Sequence, residues 1–346
     1  MKLEGMKFPR RRVLAARAAI ALAGFTISTS VVAQTEIRFA EQFGLLYLPM
    51  QVVIHEKLVE KHAAKAGLKG VTGKMIKLSG GAAINQALLS GNVEFASAGV
   101  GPLLTIWDKT FGTEDHVKAA FDLARMPLKL LTNDPTVTKL ADYLKVSDHK
   151  IATPSISSIQ AVTLRMAAAK LWGEAESKKL DPLLVNMNHP TAVAATLSGG
   201  QTVKSHFSTL PFSYQQLQSG KMKQVLSSYE VLGGPHSIVS LYNTTKWKNA
   251  NPQLYKVVVD AYAEAFAFID ADIGRAAKIY VDFTKSKLSV DDVKAMISSK
   301  AEMDYGMTPQ RTMEFARFMH KDGAIKNLPA SWKDYFHDNA HGLAGS

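Results

Sequence analysis

The strongest constraint on this chain is the order of its periodicities, in which short strand-like runs alternate with helix-length stripes. Residues 36–40 alternate polar and apolar side chains, a glycine turn follows, and then the apolar run Leu45-Leu46-Tyr47-Leu48-Pro49. The next stretch reads as a helix, with Val52, Val53, Leu58 and Val59 inward and His55-Glu56-Lys57 outward. Residues 74–78 form a second strand pattern. Ser79-Gly80-Gly81 then opens a helix with Ile84, Ala87 and Leu88 on one face, Gly91 marks its end, and residues 93–98 give a third strand. Strand, helix, strand, helix in this order predicts an α/β architecture with a mainly parallel sheet.

The same grammar recurs downstream. Residues 150–152 form a short strand, the loop 154–158 caps a helix carrying Ile159, Val162, Met166 and Ala169 on one face, and Gly173 stops it. A strand over 183–187 and a helix over 191–198 follow. Ala87-Leu88-Leu89-Ser90-Gly91 is echoed 108 residues later by Ala195-Thr196-Leu197-Ser198-Gly199. The echo suggests one structural unit used in two lobes, although any helix–Gly–strand unit produces a similar string. From Asn251-Pro252 the chain turns helical, with Tyr255, Val258, Val259, Tyr262, Phe266 and Ile269 as a long apolar stripe. Further helix starts are expected at Ser289 with Asp292, at Thr308-Pro309 and at Ser331; Met313, Phe315, Phe318 and Met319 are assigned to the core rather than to a cofactor site.

A length of 346 residues suits about two domains. The formal charge of +11 invites a nucleic-acid or anionic-membrane reading until its location is considered. Six basic residues and one acidic residue fall in the first 33, where Lys2 to Arg17 precede 16 uncharged residues ending at Val31-Val32-Ala33. That is the layout of an export signal, and Arg10-Arg11-Arg12-Val13-Leu14 also fits a twin-arginine pattern. The alternative, a membrane anchor, is disfavoured because 16 residues are short for a span. Cleavage after Ala33 would leave 313 residues at +6, an exported soluble body for which nucleic acid is not the expected partner. The absence of cysteine excludes disulfides, thiolate metal sites, a cysteine nucleophile and a lipid-anchored amino terminus.

The sequence after residue 33 contains no Walker loop, GxGxxG, GxSxG, HExxH or EF-hand loop. His337 and His341 are spaced as a helical pair, but no third ligand accompanies them, so they are read as solvated rather than as metal ligands. Asp270 and Asp272 point to different helix faces and make no acid–base pair. What stands out is two small-residue loops that open helices, Ser79-Gly80-Gly81-Ala82 and Ser155-Ile156-Ser157-Ser158. Each presents backbone N–H groups at the positive end of a helix dipole, suited to an anionic ligand, with ordinary capping as the alternative.

The segment from Ser79 to Phe95 (SGGAAINQALLSGNVEF), the segment from Thr153 to Ala161 (TPSISSIQA) and Asn251-Pro252 resemble the periplasmic solute-binding proteins of the nitrate, sulfonate and taurine ABC-transporter group, the NMT1/THI5-like or SsuA-like family. The resemblance implies a type II periplasmic-binding fold: two α/β lobes joined by two crossings, with ligand between them. It places lobe 1 at 34–127 and 236–346 and lobe 2 at 128–235, with 125–131 as the outward strand and 238–242 as the return. Its ligand contacts would fall on Gly44, Leu45 and Tyr47; on Gly80, Gly81 and Ala82; on Ala98 and Gly99; on Ser155, Ser157, Ser158 and Gln160; and on Thr209, Pro211 and Phe212. Tyr47 and Phe212 could pack on the ligand or on the core. Arg125 and His236, near the crossings, are charged candidates that a hinge salt bridge would equally explain.

The implied role is substrate-binding component of an ABC importer, a monomer that captures a small anionic organic solute and delivers it to a membrane permease. A sensor using the same cleft is the alternative. No catalytic residue, metal or cofactor is expected, and the enzymatic pyrimidine-synthesising branch carries a cysteine-rich motif that a cysteine-free chain lacks. A bulky residue at Gly81, or alanine at Ser157 and Ser158, is expected to weaken binding without unfolding the chain.

Overall fold

The computed structural model describes residues 34–199 and 202–346, and the expected export signal lies outside them. Residues 34–346 form one compact unit. Its strands are β1 (Thr35–Glu41), β2 (Val71–Lys77), β3 (Phe95–Gly99), β4 (Val117–Arg125), β5 (Lys129–Thr132), β6 (Lys150–Thr153), β7 (Leu184–Asn186), β8 (Val203–Ser208), β9 (Lys223–Ser227), β10 (Ser237–Thr244) and β11 (Asp304–Tyr305). They form two sheets, ordered β11-β4-β10-β3-β1-β2 and β7-β6-β8-β5-β9.

The two sheets follow one plan. In the first, β1 runs parallel to β2 and β3, and β10 enters antiparallel between β3 and β4. In the second, β6 runs parallel to β7 and β8, and β5 enters antiparallel between β8 and β9. Each antiparallel strand is the first to arrive after the chain changes sheet. The echoed five-residue strings lie on equivalent helices, Gly81–Leu89 between β2 and β3 and His189–Leu197 between β7 and β8. Gly91 and Gly199 follow them with φ of 70° and 77°, the left-handed conformation that ends a helix most easily with glycine.

The stretch expected as one outward strand, 125–131, is two. β4 ends at Arg125 in the first sheet and β5 begins at Lys129 in the second. Pro127 lies between them, and a residue without an N–H cannot continue a ladder. The return runs from the helix Ser228–Leu232 through 233–236 into β10. Two further expectations are corrected. The helix after the first strand is broken into Leu48–His55 and Leu58–Lys65, with Lys57 at φ 51° between them. The helix expected at Thr308-Pro309 starts at Thr312, because residues 308–310 bond to the crossing strands: Thr308 accepts from Arg125 Nη1 at 2.8 Å, and Ser237 N–H donates to Gln310 O at 2.9 Å.

The core of the first lobe is aromatic. Phe39 and Phe95 on adjacent strands are fully buried and stack at 5.5 Å, and Tyr262 from the helix Pro252–Ala271 packs on Phe39 and Phe121. Burying each such ring contributes about 1.5–3 kcal/mol, and Phe95→Ala would cost about 3–5 kcal/mol through the cavity left behind. Met313, Phe315 and Met319 are buried on one face of the helix Thr312–Lys321. His337 is not solvated. Its segment bridges to β4, its Nε2 lies 3.1 Å from Asn243 Oδ1, and burial pushes its pKa down to about 3.

Candidate functional site

Loops from the carboxyl ends of β1, β2 and β3 face loops from the ends of β6, β7 and β8, the edge at which open α/β sheets bind ligands. The two sides touch through glycines. A Cβ added at Gly80 would lie 2.9 Å from Pro154 O, at Gly99 2.9 Å from Ile159 Cγ2, and at Gly101 2.8 Å from Ser157 O. Gly44, at φ 129°, brings its chain to Leu210, and Leu45 N–H donates to Leu210 O at 3.0 Å. Tyr214 O–H reaches Asp292 Oδ1 at 2.8 Å and Lys129 pairs with Glu302 at 2.8 Å, both between the segments assigned to different lobes. This is a closed arrangement. The cavity left between the sides has an open volume of about 20 Å³, room for about one water.

Of the residues expected at the site, Tyr47, Gly81, Gly99, Ser158, Gln160 and Thr209 line this cavity. Gly44, Leu45, Gly80 and Ser157 instead make the contacts between the two sides. Ser155 is buried beside Ser157, with 3.3 Å between their hydroxyls. Ala98 lies behind Gly81 at the end of β3, and Pro211 is buried at the start of the helix Phe212–Gln218. Ala82 is exposed on the first turn of its helix and does not reach the cavity. Phe212 stacks on His189 at 5.4 Å, one layer from the wall. Arg125 is held by Asp304 at 2.7 Å, beside the crossing rather than in the cavity. Among the described residues, His236 has no salt-bridge partner. Its Nε2 lies 2.8 Å from Ser228 Oγ, which also accepts the Leu128 N–H at 2.9 Å, so one hydroxyl ties the two crossings together. Burial lowers the His236 pKa to about 4.

Gln42, Phe43, Pro102, His189, Ile238 and Val239 also line the cavity and were not expected. His189 had a signal in the sequence: Asn188 before it accepts the Thr191 N–H, and Pro190 occupies the first helical turn. His189 Nδ1 lies 2.7 Å from His206 Nε2, His206 Nδ1 3.0 Å from Gln216 Oε1, and Gln216 Nε2 donates to Thr196 Oγ1 at 2.8 Å. Since Gln216 Oε1 can only accept, His206 carries its proton on Nδ1 and His189 donates to it, which leaves the His189 Nε2 lone pair to accept from Gln160 Nε2 at 3.4 Å. Burial holds both rings neutral, His206 with a pKa of about 4.

Among the described residues, no Lys, Arg, Asp or Glu side chain is in the wall. Positive potential comes from backbone. The helices Gly81–Leu89, Val100–Lys109, Ile159–Trp172 and His189–Leu197 all begin at wall residues or directly after them. Thr209 Oγ1 is buried and has no hydrogen-bond partner among the described residues. A roomier groove of about 600 Å³ beside Arg311, Arg317 and Trp332 meets no carboxyl end of a parallel strand and lies away from these loops.

Two α/β lobes, two crossings and a cleft at the strand ends define the type II periplasmic-binding-protein fold. The sequence matches no protein-family model, and no curated protein aligns with it significantly. Solved structures share the fold. The alkanesulfonate-binding protein SsuA from Xanthomonas axonopodis pv. citri, bound to MOPS, aligns at 14% identity over 85% of this chain and 94% of that one, with a TM-score of 0.63. The periplasmic nitrate-binding protein NrtA from Synechocystis PCC 6803 aligns at 17% identity over 88% and 84%, with a TM-score of 0.67. A Candida albicans protein described as having the generic periplasmic binding protein fold aligns at 12% identity over 88% and 96%, with a TM-score of 0.63. No helix among the described residues is long and apolar enough to cross a membrane.

Proposed function

We propose that this chain is the solute-binding component of an ABC importer: an exported periplasmic protein that captures a small anionic solute between its lobes and delivers it to a membrane permease. The observation that carries this reading is the convergence of four helix starts, from both sheets, on one cavity whose wall has no formal charge. Backbone N–H groups and helix dipoles favour an anion there, while Gln42, Gln160, Tyr47 and Thr209 supply neutral donors. The sulfonate- and nitrate-binding functions of proteins with this fold support the same ligand class.

The lobes are placed at 34–127 with 236–346 and at 128–235, hinged at 126–128 and 233–236. Since about 20 Å³ remains in the closed form, capture requires the lobes to part and close again. Titration calorimetry of residues 34–346 against taurine, methanesulfonate, nitrate and acetate tests the reading. Saturable one-site binding of at least one anion is expected. No saturable binding of any would overturn it.

A further inference from the structure

The first ligand loop, 42–47, is anchored from outside the cavity by an ion pair that the binding reading does not use. Glu41, the last residue of β1, is fully buried, and among the described residues neither carboxylate oxygen has a well-angled hydrogen bond. The Lys77 ammonium at the end of β2 lies 3.1 Å from Glu41 Oε1. The same ammonium sits over the Phe43 ring, 5.2 Å from its centroid. Phe43 and its neighbour Gln42 are cavity wall, and Gln42 Nε2 donates to Tyr47 O–H at 3.1 Å. One side chain of β2 thus grips the root of the loop through charge and its wall through a cation–π contact.

We propose that Lys77, held by Glu41, is a positioning residue of the cleft, fixing Phe43 and the loop behind it so that the wall is formed before solute arrives. The proposal rests on the solute-binding reading only for its consequence on affinity. Its structural content, the pinning of Phe43, stands without a ligand.

The pair also makes the wall sensitive to pH. The groups facing Glu41 are Lys77 from β2, Gln51 from the helix Leu48–His55, Tyr47, Tyr262 from the helix Pro252–Ala271, and Tyr280 from the helix Ile273–Thr284. Burial raises all three phenols above their ordinary range, so none of them titrates near neutrality. Burial raises the Glu41 carboxyl to about 7, with Lys77 opposing the shift. Above that pH the carboxylate holds Lys77 over Phe43. Below it Glu41 is neutral, and the ammonium, 29% exposed, is free to turn to solvent.

The test places 4-fluorophenylalanine at position 43 of residues 34–346 and follows its fluorine resonance from pH 8.5 to 5.5, with no solute added. A titration with a midpoint near 7 is expected, absent in Glu41→Gln and Lys77→Met and restored in part by Lys77→Arg. A resonance that ignores pH, or that titrates equally in the Glu41→Gln protein, would overturn the proposal. Calorimetry with nitrate and methanesulfonate reads the consequence: affinity about two- to fivefold weaker at pH 6 than at pH 8, the size of one partly exposed cation–π contact, and independent of pH in Glu41→Gln. Equal pH dependence in both proteins would also count against it. Failure of every solute to bind, with the fluorine titration intact, would overturn the transport reading and leave the pinning of Phe43 standing.

Discussion

Replacing Gly101, which does not itself line the cavity, by alanine sets the two lobes against each other. The added Cβ would lie 2.8 Å from Ser157 O, 3.3 Å from Val162 Cγ2 and 3.4 Å from Ile159 N, whereas Cβ contacts under 3.0 Å essentially never occur. The crowded atom is a backbone carbonyl of the opposite lobe, so relief requires that lobe to retreat. Overpacking of this kind costs about 1–3 kcal/mol. Here it falls on the closed state alone, so solute affinity should drop roughly 5- to 150-fold. In the open state the contact is absent, and alanine in the first turn of Val100–Lys109 should stabilise that helix by about 0.5–1 kcal/mol relative to glycine. The variant should therefore bind weakly and melt no lower than the parent. Calorimetry, thermal melting and small-angle scattering on both proteins check this, with the unliganded variant expected to be more expanded. Unchanged affinity, or a melting loss as large as the affinity loss, would refute the closure argument.

Three further outcomes are expected. Thr209→Val keeps the shape of a buried side chain and removes an unpartnered hydroxyl, so affinity should fall about 2- to 12-fold while urea stability holds or rises; a stability loss would mean that the hydroxyl serves the fold. Ser228→Ala strips the Leu128 N–H and His236 of a shared partner at the hinge and should cost about 1–3 kcal/mol by denaturation, which an unchanged midpoint would contradict. Below pH 6.5 the unfolded chain protonates its histidines while His206 stays neutral down to about 4, so His206 withdraws stability as pH falls through that window. Subtracting the His206→Gln stability curve from the parent curve should show a loss on the order of 3 kcal/mol between pH 6.5 and 4, and none above pH 7.

The strands were legible because alternation and glycine stops are local signals: β1, β6 and the ends marked by Gly91 and Gly173 need only their own neighbours. Features decided across the lobes were not. Thr308-Pro309 has the pattern of a helix start, but distant strands use its backbone. The role of the glycines was half visible. At Gly80 and Gly99 a ligand contact was expected, whereas there, and at Gly101, which was not singled out, the missing side chain admits the opposite lobe. The substitutions suggested by sequence also change meaning. A side chain at Gly81 would run into the Pro102 ring, and Ser158 caps its helix through the Ala161 N–H, so both changes would disturb the fold as well as the cleft. His189 was missed because its proton placement is set by His206 and Gln216, which lie 17 and 27 residues downstream.

Native mass spectrometry of residues 34–346 released from an exporting host tests the central claim most directly. One small anion bound per chain, lost or much reduced in Gly101→Ala and less strongly reduced in Thr209→Val, is the predicted result. A bare chain that takes up none of the anions offered, or an adduct retained equally by both variants, would contradict solute capture in this cleft.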